Sequence, residues 1–259
     1  MDTALVVALL LAVLVGVSLG LLGGGGSILT TPILTYVLGM EPRVAIASSL
    51  FIVGVTSAVG LLSHARAGRV RWKTGLLFGA AGMVGAFAGG LLGGVIPGAV
   101  LMILFAVMMV ATAVAMIRGR KERGAQAGGE GGLPLARILL DGFVVGIATG
   151  LVGAGGGFLV VPALNLLGGL PMAIAVATSL LVIVMKSASG LAGYLFSVQI
   201  DWPVVLAFTG IAIVGSLLGA KLAGRIPERA LRKGFGYFVL AMGAFVLVQE
   251  IPNVVGRFS

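Results

Sequence analysis

The chain has no cysteine, a single histidine and only eight acidic residues in 259. Without cysteine, disulfides and thiolate-ligated metals are excluded. No Walker A run or other nucleotide-binding motif is present, which excludes a pump that hydrolyses ATP itself. Charge of either sign is scarce, at 10% of residues, where a soluble domain of this length carries about 25%. What the chain does have is apolar sequence, 59% of its residues, with a mean hydropathy of +1.20. So much apolar surface cannot be hidden from water. The apolar runs are long and unbroken, unlike the short alternating segments of a β-barrel, so they predict an all-α polytopic membrane protein. The first run, TALVVALLLAVLVGVSLGLL, has no basic residue ahead of it and no small-x-small cleavage site. It reads as the first spanning helix rather than a signal peptide.

The formal charge of +9 could suggest nucleic acid, but its placement points elsewhere. Arg66, Arg69, Arg71 and Lys73 form one cluster; Arg118, Arg120, Lys121, Arg123 and Arg137 a second; Lys221, Arg225, Arg229, Arg232 and Lys233 a third. All but three of the 17 Lys and Arg residues lie in these groups, in or beside breaks between apolar runs. Cytoplasmic loops have this pattern under the positive-inside rule. The charge therefore reports topology, and membrane lipid rather than nucleic acid is the expected partner.

The two halves of the chain repeat one another. A shift of 130 residues lays Gly20–Trp72 on Gly150–Trp202 without a gap, with 18 of 53 positions identical, including Gly23/Gly153, Pro32/Pro162, Ser49/Ser179, Gly60/Gly190 and Trp72/Trp202. Proline and tryptophan do not recur at one offset by chance in apolar sequence. The chain divides into a first membrane repeat (1–117), a polar linker (118–135) containing RGRKERGAQAGGEGG, and a second membrane repeat (136–259). The linker is too charged and too Gly-rich to be buried, and is expected in the cytoplasm. Equivalent loops carry opposite charge patterns. RAGRVRWK (66–73) is basic and its mate FSVQIDWP (196–203) has no Lys or Arg; GGVIPG (93–98) is uncharged and its mate GRIPERALRK (224–233) is basic. Equivalent loops are thus expected on opposite sides, which makes the repeats inverted and requires an odd number of crossings in each.

Four apolar segments per half are evident, near 4–22, 44–65, 74–94 and 98–117, then 136–152, 172–196, 203–223 and 232–250. The fifth is predicted in the short runs SILTTPILTYVLG (27–39) and GFLVVPALNLLGG (157–169), each broken by a proline. A helix of that length covers roughly 20 Å of a hydrocarbon core about 30 Å thick. Ten crossings place Lys73, Arg120 and Arg229 inside, with Asp2, Pro97, Asp201 and the C-terminus outside. The competing count of eight, with re-entrant short segments, leaves one basic cluster on the wrong side.

Each short run follows a glycine stretch, GLLGGGGSILTTP (20–32) or GLVGAGGGFLVVP (150–162). Backbone that leaves the helix at membrane depth has N–H groups that must be satisfied. Together with the N-terminus of the short helix they could cradle an anion near the membrane midplane. The candidate binding residues are Gly24, Gly25, Gly26, Ser27, Thr31, Ser48 and Ser49 in the first half. Gly155, Gly156, Gly157, Asn165, Thr178 and Ser179 are their counterparts in the second. Tight hairpin packing is the alternative for the glycines, and hydrogen bonding to the i−4 carbonyl is the alternative for each hydroxyl. GAAGMVGAFAGGLLGG (79–94) and GIAIVGSLLGAKLAG (210–224) read as GxxxG-type packing faces.

Lys186 joins the candidates because it stands alone inside a spanning run, TSLLVIVMKSASGLAG, with no acidic residue within ten positions. An ammonium at that depth costs at least about 2.5 kcal/mol, which suggests a polar cavity holding an anion or exchanging a proton with it. Snorkelling is the alternative. Its repeat-mate is Thr56. His64, at the end of its helix beside Arg66, reads as an interfacial anchor, with a gating role as the alternative.

The run GLLGGGGSILTTPILTYVLGMEPRVAIASSLF, the pattern His64, Arg66, Gly68, Val70, Trp72, and GLVGAGGGFLVVPALNLLGGLPMAIAVATSLL together resemble the sulfite exporter TauE/SafE family of bacterial and archaeal membrane proteins. The resemblance covers nearly the whole chain. It implies a carrier without enzymatic activity or a cofactor, exporting sulfite or a small organosulfonate across the inner membrane. The family is usually described with seven or eight spans, fewer than the ten counted above. Its Gly-rich and Ser/Thr positions fall on Gly23–Ser27 with Ser48 and Ser49, and on Gly153–Gly157 with Thr178 and Ser179. From the residues themselves, an anion channel and a carrier of small carboxylates stay open as alternatives, as do coupled protons and a second copy of the chain as partners. An intramembrane enzyme is a remote alternative, since Lys186 is the only candidate base at depth.

Overall fold

The computed structural model describes residues 3–22, 25–118, 135–153, 157–167, 169–223 and 228–258. Gly24, Gly155, Gly156 and most of the linker lie outside them. All the described elements are helical. The first half comprises α1 (Thr3–Leu22), α2 (Gly25–Pro32), α3 (Pro42–Arg66), α4 (Trp72–Val95) and α5 (Gly98–Arg118). The second comprises α6 (Leu135–Val152), α7 (Gly157–Pro162), α8 (Met172–Tyr194), α9 (Trp202–Ala223) and α10 (Glu228–Phe258). Six of these helices are long and apolar enough to cross a bilayer: α1, α3, α4, α5, α8 and α9. Shorter apolar stretches run over Ser27–Val37, Ile138–Val152 and Gly236–Glu250. The chain is a multi-pass α-helical membrane protein.

The two prolines explain the shape of the short segments. Pro32 and Pro162 each lack an N–H and crowd the carbonyl four residues earlier. The chain responds by widening into a π-helical turn directly after each one, Ile33–Val37 and Ala163–Leu167. Leu38 N–H then reaches Ile33 O, five residues back, at 3.2 Å. Gly39 and Gly169 end the two segments with φ of 65° and 67°, a conformation that favours glycine. The next helix in the first half starts on a proline, Pro42, whose missing N–H costs nothing at a first helical position.

Small residues decide how the helices pack. Gly16 and Gly20 of α1 lie against Ala212, Ser216 and Ala220 of α9, while Gly215 and Gly219 of α9 face Val13 and Val17. Numbers rise together, so α1 and α9 are parallel. On α6, Gly142, Gly146 and Gly150 lie against Phe78, Gly82 and Ala86 of α4, again in parallel. Gly75, Gly79 and Gly93 of α4 meet Thr178, Met185 and Tyr194 of α8 in the same sense. Phe51 stacks edge-on against Trp202 at 5.2 Å, and Gly60 faces Ser216, so α3 also runs parallel to α9. Two parallel triplets result, α1/α3/α9 and α4/α6/α8. Such close backbone contacts are the usual basis of helix association in lipid.

The triplets meet along α3 and α8. Gly190 faces Leu50, a Cβ on Gly54 would stand 3.1 Å from Ser187 Cβ, and one on Gly60 would stand 3.6 Å from Leu180 Cδ1. Numbers here fall on one helix as they rise on the other, so α3 and α8 are antiparallel, with their crossing centred on Val55 and Met185. Helices α5 and α10 pack on each other, and each also touches a short helix, α5 with α7 and α10 with α2. Their shared core includes Ile28, Phe105, Val161 and Tyr194. Large apolar residues such as Leu10, Val84, Leu140 and Val214 point outward, as a lipid-facing surface requires.

Candidate functional site

The crossing of α3 and α8 is polar. Thr56 and Ser57 on α3, and Lys186 and Ser187 on α8, stand within two residues of its centre and are all buried, Lys186 to 1% exposure. None of Thr56 Oγ1, Ser57 Oγ, Lys186 Nζ and Ser187 Oγ has a hydrogen-bond partner in the protein. Helical rise of 1.5 Å per residue puts the four within about 6 Å of one another in depth, near the middle of their helices. A buried hydroxyl left without a partner costs about 1–3 kcal/mol and an uncompensated charge costs more. All four can donate, and one is cationic. A species that only accepts hydrogen bonds and carries negative charge is the kind of partner such donors take.

The lysine stem has a prepared slot. A Cβ on Gly82 of α4 would stand 2.8 Å from Lys186 Cδ and 3.1 Å from Cγ. Glycine is therefore required there for the stem to lie where it does.

The other predicted residues divide into two groups. Ser48, Ser49 and Thr31 are fully buried, and their hydroxyls have no partner in the protein. Ser27 is also fully buried. In contrast, three second-half candidates are engaged, two of them locally. Thr178 Oγ1 accepts from Arg71 N–H at 3.1 Å, Ser179 Oγ–H donates to Val176 O at 2.7 Å, and Asn165 Nδ2–H donates to Leu170 O at 2.9 Å. The matched hydroxyls of the two halves are thus used differently. Thr31, Ser48 and Ser49 keep their hydroxyls open, whereas Thr178, Ser179 and Asn165 are each engaged.

Gly153 has φ of 65° and packs against the backbone of Ile46. Ile46 lies nine residues before the crossing centre, roughly 13 Å along α3. The second glycine run therefore starts at a different depth from Lys186, near the Pro42 end of the molecule. Of the remaining glycines, Gly25 and Gly26 open α2, and Gly157 opens α7.

Two further polar features lie away from the crossing. His64 is buried to 4% exposure at the Arg66 end of α3, and its Nε2 has no partner in the protein. Near the Pro42 end, Tyr36 O–H donates to Glu250 at 2.8 Å beside a cavity of about 480 Å³ that Glu41, Gly98 and Thr35 also line. Among the described residues no group of three or more His, Asp or Glu could hold a metal ion.

Sequence reasoning singled out Lys186 but passed over Ser57, Ser187 and Gly82, and noted Thr56 only as a repeat-mate. The signal was available: the 130-residue shift sets Thr56–Ser57 on Lys186–Ser187.

Proteins similar to this chain are described as membrane transporters. The family model described as "Sulfite exporter TauE/SafE" matches residues 8–246. The chain is 35% identical over 249 residues to a probable membrane transporter protein of Xylella fastidiosa, covering 93% of this chain and 94% of the relative. It is 29% identical over 265 residues to a probable membrane transporter protein of Methanocaldococcus jannaschii, covering 92% and 95%. A shorter likeness, 26% over 155 residues, links 57% of the chain to 32% of the sulfite exporter TauE/SafE family protein 3 of Arabidopsis thaliana. No solved structure matches. With the family model spanning nearly all of both halves, the chain belongs to the sulfite exporter TauE/SafE family.

Proposed function

We propose that the protein is a secondary carrier that exports a small anion, sulfite or an organosulfonate, across the inner membrane by alternating access. The observation that carries this reading is the layer of four buried donors at the α3–α8 crossing, one of them cationic and none paired within the protein. Family membership supports the choice of sulfur oxyanions. Their several acceptor oxygens match a site of hydroxyls and an ammonium.

The architecture behind this reading is a pair of inverted repeats with five membrane segments each. α1 and α3 both run parallel to α9, so the chain between them must return from one end of the bundle to the other. The same holds for α6 and α8 beside α4. Residues 25–37 and 157–167 would make those returns. Repeat-mates α3 and α8 are antiparallel, and their crossing centre is the natural pivot for rocking one triplet against the other. Arg66, Arg69, Arg71, Lys73 and Lys221 all fall at one end of the bundle, in keeping with a cytoplasmic face.

Two measurements test the reading. Proteoliposomes are screened with sulfite, sulfate, thiosulfate, sulfoacetate and small carboxylates, with and without a pH gradient. Saturable uptake with counterflow of a sulfur oxyanion is expected. Flux without counterflow would identify a channel, and selective carboxylate flux a different carrier. Topology is tested by single cysteines in the natural cysteine-free chain: residue 201 should label from outside and residue 120 only after permeabilisation. The opposite result at either position would overturn the inverted arrangement.

A further inference from the structure

The chain departs from its own internal repeat at three positions on adjoining helices. Where the first half has Thr56, the second has Lys186; where the second half has Ala212, the first has Gly82; and where the first half has Leu11, the second has Asp141. Lys186, Gly82 and Asp141 belong to α8, α4 and α6, the three helices of a single triplet. Thr56, Ala212 and Leu11 occupy the matching places in the other triplet. All the charge at this depth is therefore on one side of the molecule.

The register shows how near the two charges come. A Cβ on Gly82 would stand 2.8 Å from Lys186 Cδ and 3.3 Å from Gly142 O, so Gly82 touches both the lysine stem and the residue next to Asp141. Ile138 and Val145 of α6 pack on a cluster that includes Phe78, Val160, Leu164 and Val182. Asp141 is three residues from Ile138 and four from Val145, on the same helical face. Lys186 follows Val182 by four, on the face of α8 that borders the same cluster. Side chains on a helix lean toward its N-terminus. Since α6 and α8 both run parallel to α4, the lysine leans toward the level of Asp141. Asp141 is only partly exposed, whereas Leu140 and Val144 on the adjoining face are 62% and 55% exposed to the lipid side.

We propose that Asp141 is the internal counter-charge of Lys186: it closes onto the lysine while the empty carrier reorients, and the transported anion takes its place on the loaded one. The inference rests on the carrier reading above. Its physical basis is that an ammonium carried through hydrocarbon alone is costly, whereas one neutralised by a carboxylate or by a bound anion is far less so. Lys186 Nζ has no hydrogen-bond partner in the present conformation, so the pair is open here. The four rotatable bonds of the lysine stem supply the movement that would close it.

The decisive comparison is between exchange and net flux, measured with sulfite and with methanesulfonate. Exchange needs only the loaded carrier to reorient, and net flux also needs the empty one. Asp141→Asn should keep anion exchange within about twofold of wild type and lose at least tenfold in net flux. Asp141→Glu should retain net flux. Adding Lys186→Met to Asp141→Asn should bring net flux and the residual exchange back into proportion, because no charge is left to neutralise. Equal loss of exchange and net flux in folded Asp141→Asn, or no loss of either, would overturn the proposal. Absence of exchange by wild type with every anion screened would instead sink the carrier reading. Proximity is tested independently of transport and of how well Asn is tolerated. Cysteines placed at 141 and 186 should be joined by a short bifunctional thiol reagent, and failure to cross-link in folded protein would also overturn it.

Discussion

Lys186→Met is expected to weaken anion binding at least tenfold while the protein remains well expressed and folded. Hydrogen bonds to a charged group contribute about 1.5–3 kcal/mol, and each 1.4 kcal/mol is a factor of ten in affinity. Methionine has nearly the same length and flexibility as the lysine stem, so the slot beside Gly82 stays filled. Removing an ammonium from membrane depth also removes its insertion cost of at least about 2.5 kcal/mol. Loss of binding with normal folded yield therefore separates a ligand role from a packing role. Some transport should persist at high anion concentration, because Ser57, Ser187 and Thr56 still donate. Lys186→Arg should be only partly active, since a guanidinium keeps the charge but is wide and planar. Calorimetry on purified protein, set beside counterflow, gives the answer. Unchanged affinity in Lys186→Met would show that the lysine is not a ligand.

The Lys186 result also bears on how the two glycine runs are to be understood. Read from sequence, they looked like the centre of the site, because matched glycines beside broken helices suggest exposed backbone N–H groups. In the fold, Gly153 stands against Ile46 near the end of α3, roughly 13 Å from the crossing. Four buried donors without partners, on Thr56, Ser57, Lys186 and Ser187, stand instead near the middle of α3 and α8, with Ser48 and Ser49 between the two places.

Much of the fold could be read from periodicity and length. The eight long apolar runs correspond to α1, α3, α4, α5, α6, α8, α9 and α10, and both short Pro-broken segments are present as α2 and α7 with their π-turns. Hydropathy carries that information because lipid demands long apolar helices. Pairing between helices could not be read the same way. That α1 packs on α9, and α6 on α4, depends on glycine faces that look alike on every helix of this chain. For the same reason Thr178, Ser179 and Asn165 were indistinguishable in sequence from their first-half counterparts. Ser179 donates to the local Val176 carbonyl, whereas Thr178 accepts from the Arg71 N–H of a loop distant in the chain. Lys186 was legible because its cost at depth is independent of context. The slot that holds its stem was not, since Gly82 is more than a hundred residues away in the chain.

Gly82→Ala is expected to lower anion affinity threefold or more with little loss of folded protein, and Gly89→Ala to do the reverse. The two glycines lie two turns apart on α4, and both lie against α6. They differ in what a new methyl would meet. At Gly82 the nearest atoms are Cδ and Cγ of Lys186, at 2.8 and 3.1 Å, which can move aside by rotating the lysine stem. At Gly89 they are backbone atoms of Ile147 and Leu151, the nearer being Ile147 O at 2.5 Å, and they can give way only if α6 shifts. A methyl at position 82 therefore displaces the ammonium from its place at the crossing, while one at 89 strains the helix pair. Ala212→Gly, at the matching place in the other triplet, should leave affinity unchanged because no charged side chain uses that slot. The effect of Gly82→Ala on affinity should vanish in a Lys186→Met background, where the methyl has no ammonium left to displace. Affinity per folded molecule, with yield scored separately by size exclusion, tests all three. If Gly82→Ala binds the anion as wild type does, or weakens it equally with and without Lys186, the slot only packs the helices and does not position the lysine.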